Sequence, residues 1–99
     1  MIKHVIIWKL KDMPESEKAE RKRLIKEGLE SLNGKIEGLA EIKVITELLP
    51  TSTGDLMLDS TFTSAEALKG YSVHPEHVKV ADERVRPFAA DRKCVDFEI

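Results

Sequence analysis

The hydrophobic period of this chain switches from two residues to about 3.6 and back, and then does so again. Ile2, His4, Ile6, Trp8 and Leu10 share one face of an alternating segment, and Lys3, Val5, Ile7 and Lys9 share the other. Alternation with β-branched residues predicts a strand, which Asp12-Met13-Pro14 breaks. From about Ser16 to Leu32 the apolar residues Leu24, Ile25, Gly28, Leu29 and Leu32 line one stripe, the signature of an amphipathic helix. Glu15 and Glu17 suit its start and Asn33-Gly34 its stop.

Alternation returns over Glu41–Leu49 and again over Asp55–Thr63, with the turn-rich segment Pro50-Thr51-Ser52-Thr53-Gly54 between them. Ser64 is placed to cap a short helix from Ala65 to about Tyr71. His74-Pro75 interrupts it, and Pro75 suits the first turn of a further helix that reaches about Arg86 before Pro87. Lys93–Ile99 alternates once more as a final strand. The order is β-α-β-β-α-β, the ferredoxin-like α+β arrangement: a four-stranded antiparallel sheet with two helical segments on one face. At 99 residues this is a single domain, residues 1–99.

The strand faces differ in a way that bears on assembly. Ile6, Trp8, Val44, Leu56, Leu58 and Phe62, joined by Val95 and Phe97, form an apolar face for the helices to cover. The opposite face mixes Val5, Ile7, Ile45 and Met57 with Lys3, Lys43, Asp59 and Glu98, and Cys94 is expected there too. That many aliphatic side chains on a second face predict a homodimer joined sheet to sheet; a half-polar face left open to water is the alternative.

Composition narrows the function classes. A net charge of −2 with scattered lysines argues against a nucleic-acid partner. No apolar run approaches the roughly 18 residues needed to span a membrane, and the start of the chain is too soon charged for a secretion signal. The one cysteine, Cys94, offers neither an intrachain disulfide nor a cysteine-based zinc cluster. The expectation is a cytoplasmic protein.

The candidates for chemistry are few. His4 lies on the apolar face of the first strand, where a polar ring needs a partner: a satisfied core histidine, or a group lining a pocket. His77 sits in the first turn of the last helix, beside the arc of Val78, Ala81, Val85 and Phe88; a helix N-terminus favours its neutral form, which can act as a base near pH 7. A partly buried structural histidine is the other reading. Tyr71 can pack through its ring or orient a carbonyl through its hydroxyl. Trp8 is core, or the wall of a cavity. His74 caps the helix junction, and His74-x-x-His77 lacks a third ligand at a metal-binding spacing, so no metal and no cofactor are expected.

Tyr71-Ser72-Val73-His74-Pro75-Glu76-His77-Val78, the opening Ile2-Lys3-His4-Val5-Ile6-Ile7-Trp8-Lys9-Leu10, and the stretches Gly38-Leu39 and Phe62-Thr63-Ser64 together resemble the stress-responsive dimeric A/B barrel (Dabb) family over essentially the whole chain. The resemblance implies a dimeric α+β barrel. One plant member with the Tyr-x-x-His-Pro-x-His motif is a polyketide cyclase, so it further implies His77 as a base, Tyr71 as its assistant and His4 as a pocket residue. The pocket is then expected between sheet and helices, lined by Ile6, Trp8, Leu24, Gly28 and Phe88 with His4, and filled by a small phenolic or carbonyl-bearing molecule. Cofactor-free acid–base chemistry is one expectation. A non-catalytic structural or interaction protein of the stress response is the alternative, and a porphyrin bound through His4 or His77 is a third.

Overall fold

A computed structural model describes residues 1–99. The elements are β1 (Ile2–Leu10), α1 (Glu15–Glu30), β2 (Leu39–Ile45), β3 (Leu56–Phe62), α2 (Ala65–Val73), α3 (Pro75–Val80) and β4 (Ala89–Glu98), with a π-helical turn over Ala81–Val85 ahead of β4. The antiparallel sheet runs β2-β3-β1-β4. This is the expected ferredoxin-like fold. Ile6, Trp8, Leu56, Leu58, Ile42 and Val44 of the sheet pack on Ile25 and Leu29 of α1 and on Tyr71 of α2.

The helix junction forms as its residues dictate. The Ser64 hydroxyl accepts from the Ala67 amide at 3.1 Å, and His74 Nδ1 accepts from the Glu76 amide at 3.1 Å, so His74 caps α3. Pro75 gives up an amide that would have no helical partner. The π-helical turn is closed by the Arg86 amide donating to the Ala81 carbonyl at 2.8 Å. It buries Ala81 and Val85.

Two expectations about the last strand are corrected. It begins at Ala89, four residues earlier than the alternation of Lys93–Ile99 predicts, because Leu10 and Ala89 pair across a register shift between Lys9 and Leu10. The faces are also the reverse of those expected. Val95 lies opposite Val5, Phe97 opposite Lys3, Cys94 opposite Ile6 and Asp96 opposite His4. Directly opposed residues of an antiparallel pair project to the same side. Val95 and Phe97 therefore belong to the outer face, away from the helices, and Cys94 and Asp96 to the helix side. β4 is an edge strand exposed along nearly its whole length, so its apolar alternation does not report the core. The outer face consequently carries Ile7 at 40% exposure, Val95 at 58% and Phe97 at 47%.

Candidate functional site

No helix packs closely over the inner side of β4, and a cavity of about 450 Å³ opens there. Ile6, Trp8, Leu58 and Leu29 give it an apolar base. Tyr71 of α2, His77 of α3, and Ala81 and Val85 of the π-helical turn close it from the helix side. Arg86, Ala89 and Arg92 line the stretch where the helical region passes into β4.

Tyr71 is 2% exposed, yet its hydroxyl has no hydrogen-bond partner in the protein. Buried polar groups are nearly always paired, so this one requires an explanation. Its ring packs against Phe62 at 4.9 Å and against the His77 imidazole at 4.1 Å between centroids. Burial pushes the phenol's pKa well above its ordinary value, with Arg92 pulling weakly the other way. Tyr71 is therefore a neutral donor at any physiological pH.

His77 is half-buried, and burial lowers its pKa from 6.5; the Ser72 carbonyl opposes this, while Arg86, His4 and Arg92 reinforce it. His77 Nδ1 lies 3.3 Å from the Ser72 carbonyl oxygen. A carbonyl only accepts, so Nδ1 carries the proton and Nε2 keeps a lone pair. A neutral imidazole with a free lone pair beside an unpartnered phenol is a base next to a hydrogen-bond donor.

His4 is anchored differently. Its Nδ1 donates to Asp96 Oδ1 at 2.5 Å, and the Cys94 sulfur lies 3.7 Å from the same nitrogen and 3.6 Å from the same oxygen. His4 is buried, hydrogen-bonded to Asp96 and part of the cavity lining. His4, Cys94 and Asp96 each offer one possible metal-ligand atom, and these atoms lie within 4.8 Å of one another. Imidazole, thiol and carboxylate would suit a borderline metal such as zinc, at the cost of the His4–Asp96 bond. Because Cys94 and Asp96 approach one nitrogen, the three do not form a relay that would activate the thiol. Burial, and secondarily the Asp96 charge, push the Cys94 pKa up.

Of the residues expected from sequence, the structure brings His4, Ile6, Trp8, Tyr71 and His77 together around the cavity. Leu24, Gly28 and Phe88 lie elsewhere, which corrects the expected lining. A Cβ on Gly28 would come within 2.7 Å of Arg84 Cδ and 3.0 Å of Val80 Cγ1. Arg84 crosses this glycine to donate to the Leu24 carbonyl at 2.8 Å. Leu24 and Gly28 therefore serve the contact between helices, and Phe88 lies beneath the Arg21 guanidinium, 3.5 Å from its ring centroid. Sequence reading missed Arg86, Arg92 and Asp96. The missing signal was the β1–β4 register, which sets Arg92 opposite Trp8 and Asp96 opposite His4.

Comparison with known proteins agrees with this architecture. The family model described as "Stress responsive A/B Barrel Domain" matches residues 2–99. A curated stress-response A/B barrel domain-containing protein of Arabidopsis thaliana is 28% identical over 98% of this chain and 36% of its own length. The chain thus spans about a third of the length of that relative. A dimeric ferredoxin-like protein of unknown function from Bacteroides fragilis superposes with a TM-score of 0.91 at 33% identity, covering 99% of this chain and 95% of that one. A hydroxynitrile lyase from Passiflora edulis shares the fold, with a TM-score of 0.75 at 17% identity over 99% and 92% of the two chains. No helix of this chain is long and apolar enough to cross a membrane.

Proposed function

The chain belongs to the stress-responsive A/B barrel family, and from that premise we propose that it is a homodimer whose cavity binds a small phenolic or carbonyl-bearing molecule and moves a proton on it without a cofactor. One observation carries the reading: a buried tyrosine hydroxyl with no protein partner, beside a neutral histidine, in a cavity with an apolar base. An unpaired buried hydroxyl costs about 1–3 kcal/mol, and a ligand oxygen accepting from it offsets that cost.

The chemistry follows from the two protonation states. His77 Nε2 takes a proton from a carbon next to the ligand carbonyl. The electron pair of the broken C–H bond moves onto the carbonyl oxygen, which accepts a hydrogen bond from Tyr71. The enolate then either recovers the proton from His77 or attacks a second carbonyl in the same molecule, whose new alkoxide takes it. His4, held by Asp96, orients the ligand through its remaining nitrogen. The Passiflora lyase has a similar fold, an analogy of scaffold only.

The dimer reading is supported by the exposed outer face, where Ile7, Val95 and Phe97 lie together, and by the dimeric description of the Bacteroides protein.

A thermal-shift screen of wild type and His77→Ala against phenols, hydroxybenzoates, β-keto acids and acyl thioesters tests the pocket. A ligand at 100 times its Kd stabilises the native state by about 2.7 kcal/mol. A shift in wild type that disappears in the variant supports the reading. No shift with any compound, together with a large loss of stability in His77→Ala, favours the non-catalytic structural role.

A further inference from the structure

We propose that the ligand of this cavity carries a carboxylate, and that Arg92 binds it at the point where β4 passes the cavity. The inference rests on the cavity being a ligand site and adds the charge of its occupant.

The lining contains two arginines, Arg86 and Arg92, and neither an aspartate nor a glutamate. The carboxylates around it are committed elsewhere. Asp82 pairs with Arg86, four residues on along the same helical segment. Asp91 pairs with Lys93, and Asp96 accepts from His4. Arg92 makes none of the chain's ion pairs.

Its position is set by the backbone. Arg92 lies opposite Trp8 in the β1–β4 register, so it projects to the cavity side of the sheet and not to the outer face. The next residues of β4 on that side are Cys94, Asp96 and Glu98. No aspartate or glutamate of the chain pairs with the guanidinium.

A planar guanidinium with paired donors matches a carboxylate edge to edge. One uncommitted arginine, with no lysine in the lining, balances a single negative charge better than the double charge of a phosphate. The apolar base of Trp8, Ile6 and Leu58 takes the uncharged body of the same molecule, and a cavity of about 450 Å³ is of the size that small-molecule sites occupy. The carboxylate has a consequence for the base. Arg86 and Arg92 both oppose protonation of His77; an anion seated at Arg92 relieves that opposition, so a bound acid raises the His77 pKa and strengthens it as a base.

The test pairs each acid with its neutral isostere: 4-hydroxybenzoate with 4-hydroxybenzamide, phenylacetate with phenylacetamide, and cinnamate with cinnamamide. Affinities are measured by calorimetry for wild type, Arg92→Gln and Arg23→Gln, the last an exposed arginine of α1 far from the cavity. The expected result is at least one acid bound about tenfold or more tightly than its amide, as a charge-assisted hydrogen bond gives. That preference is lost in Arg92→Gln, with amide affinity unchanged, and kept in Arg23→Gln. An NMR titration of the His77 ring should show its pKa rising when the acid binds. Acid and amide binding equally well, or Arg92→Gln weakening both alike, overturns the carboxylate while leaving the cavity as a ligand site. No member of either series binding at millimolar concentration overturns both.

Discussion

Replacing Tyr71 with phenylalanine separates a ligand-binding tyrosine from a structural one. In a structural role the hydroxyl holds the fold together through a hydrogen bond, and its removal costs about 1 kcal/mol or more. Here the hydroxyl has no protein partner, while the ring alone packs on Phe62 and His77. Phenylalanine keeps those ring contacts and removes only an oxygen whose burial without a partner costs about 1–3 kcal/mol. Tyr71→Phe should therefore be neutral or stabilising, by up to about that amount. For a chain of 99 residues, an unfolding entropy of about 2.1 cal/mol/K per residue makes each 1 kcal/mol worth about 5 °C in Tm. The expected melt lies between unchanged and about 15 °C higher, read by circular dichroism at matched protein concentration. Ligands that shift the wild-type melt through a carbonyl or phenol oxygen should lose most of that shift. A fall in Tm of more than about 5 °C would show that the hydroxyl is paired within the fold and is not left for a ligand.

The remaining predictions concern the base, the helix contact and the outer face. Burial holds the His77 pKa below 6.5, so a rate that depends on its neutral form should stay flat from pH 8 to 6.5 and fall only below that, as a kcat/KM profile will show. The stability sign follows from the same shift: below 6.5 the unfolded chain takes up the proton more readily than the native one, so His77 favours folding above pH 6.5 and this contribution is lost as pH falls toward its native pKa. A melt series with His77→Gln as reference should show that slope; an upward trend toward acid would contradict it. Gly28→Ala places a methyl group against Arg84 and Val80, where crowding of about 1–3 kcal/mol outweighs the roughly 1 kcal/mol gain in helix propensity; chemical denaturation should show a net loss of about 1 kcal/mol, with ligand affinity unchanged. Val95→Asp puts a charge on the outer sheet face and should convert the dimer to monomers in sedimentation velocity, whereas a dimer that persists would place the interface elsewhere.

How much of this was legible beforehand depends on burial. β1 and β3 are inner strands with one face against the helices, so alternation alone correctly set Ile6, Trp8, Leu56 and Leu58 inward. β4 is an edge strand, and its apolar residues Val95 and Phe97 face away from the helices. Alternation gives two faces without saying which is inside, and only pairing with β1 decides it. The same ambiguity hid Arg92 and Asp96 as cavity-side residues. On α1 the apolar stripe divides between two tasks: Ile25 and Leu29 enter the core, while Leu24 and Gly28 meet Arg84. No one-dimensional pattern separates those. The π-helical turn that brings Ala81 and Val85 to the cavity continues a helical pattern without a break, so the sequence does not distinguish it from the α-helix before it.

The central claim is that the space between Tyr71, His77 and the sheet receives a ligand. Its most direct test is a backbone and side-chain NMR titration of the assigned wild-type protein with whichever compound shifts its melt most. The account predicts saturable perturbations at Tyr71, His77, Ala81 and Arg92, absent from Lys43 and Phe97 on the outer face. Perturbations confined to the outer face, or spread weakly over the whole surface without saturation, would contradict it.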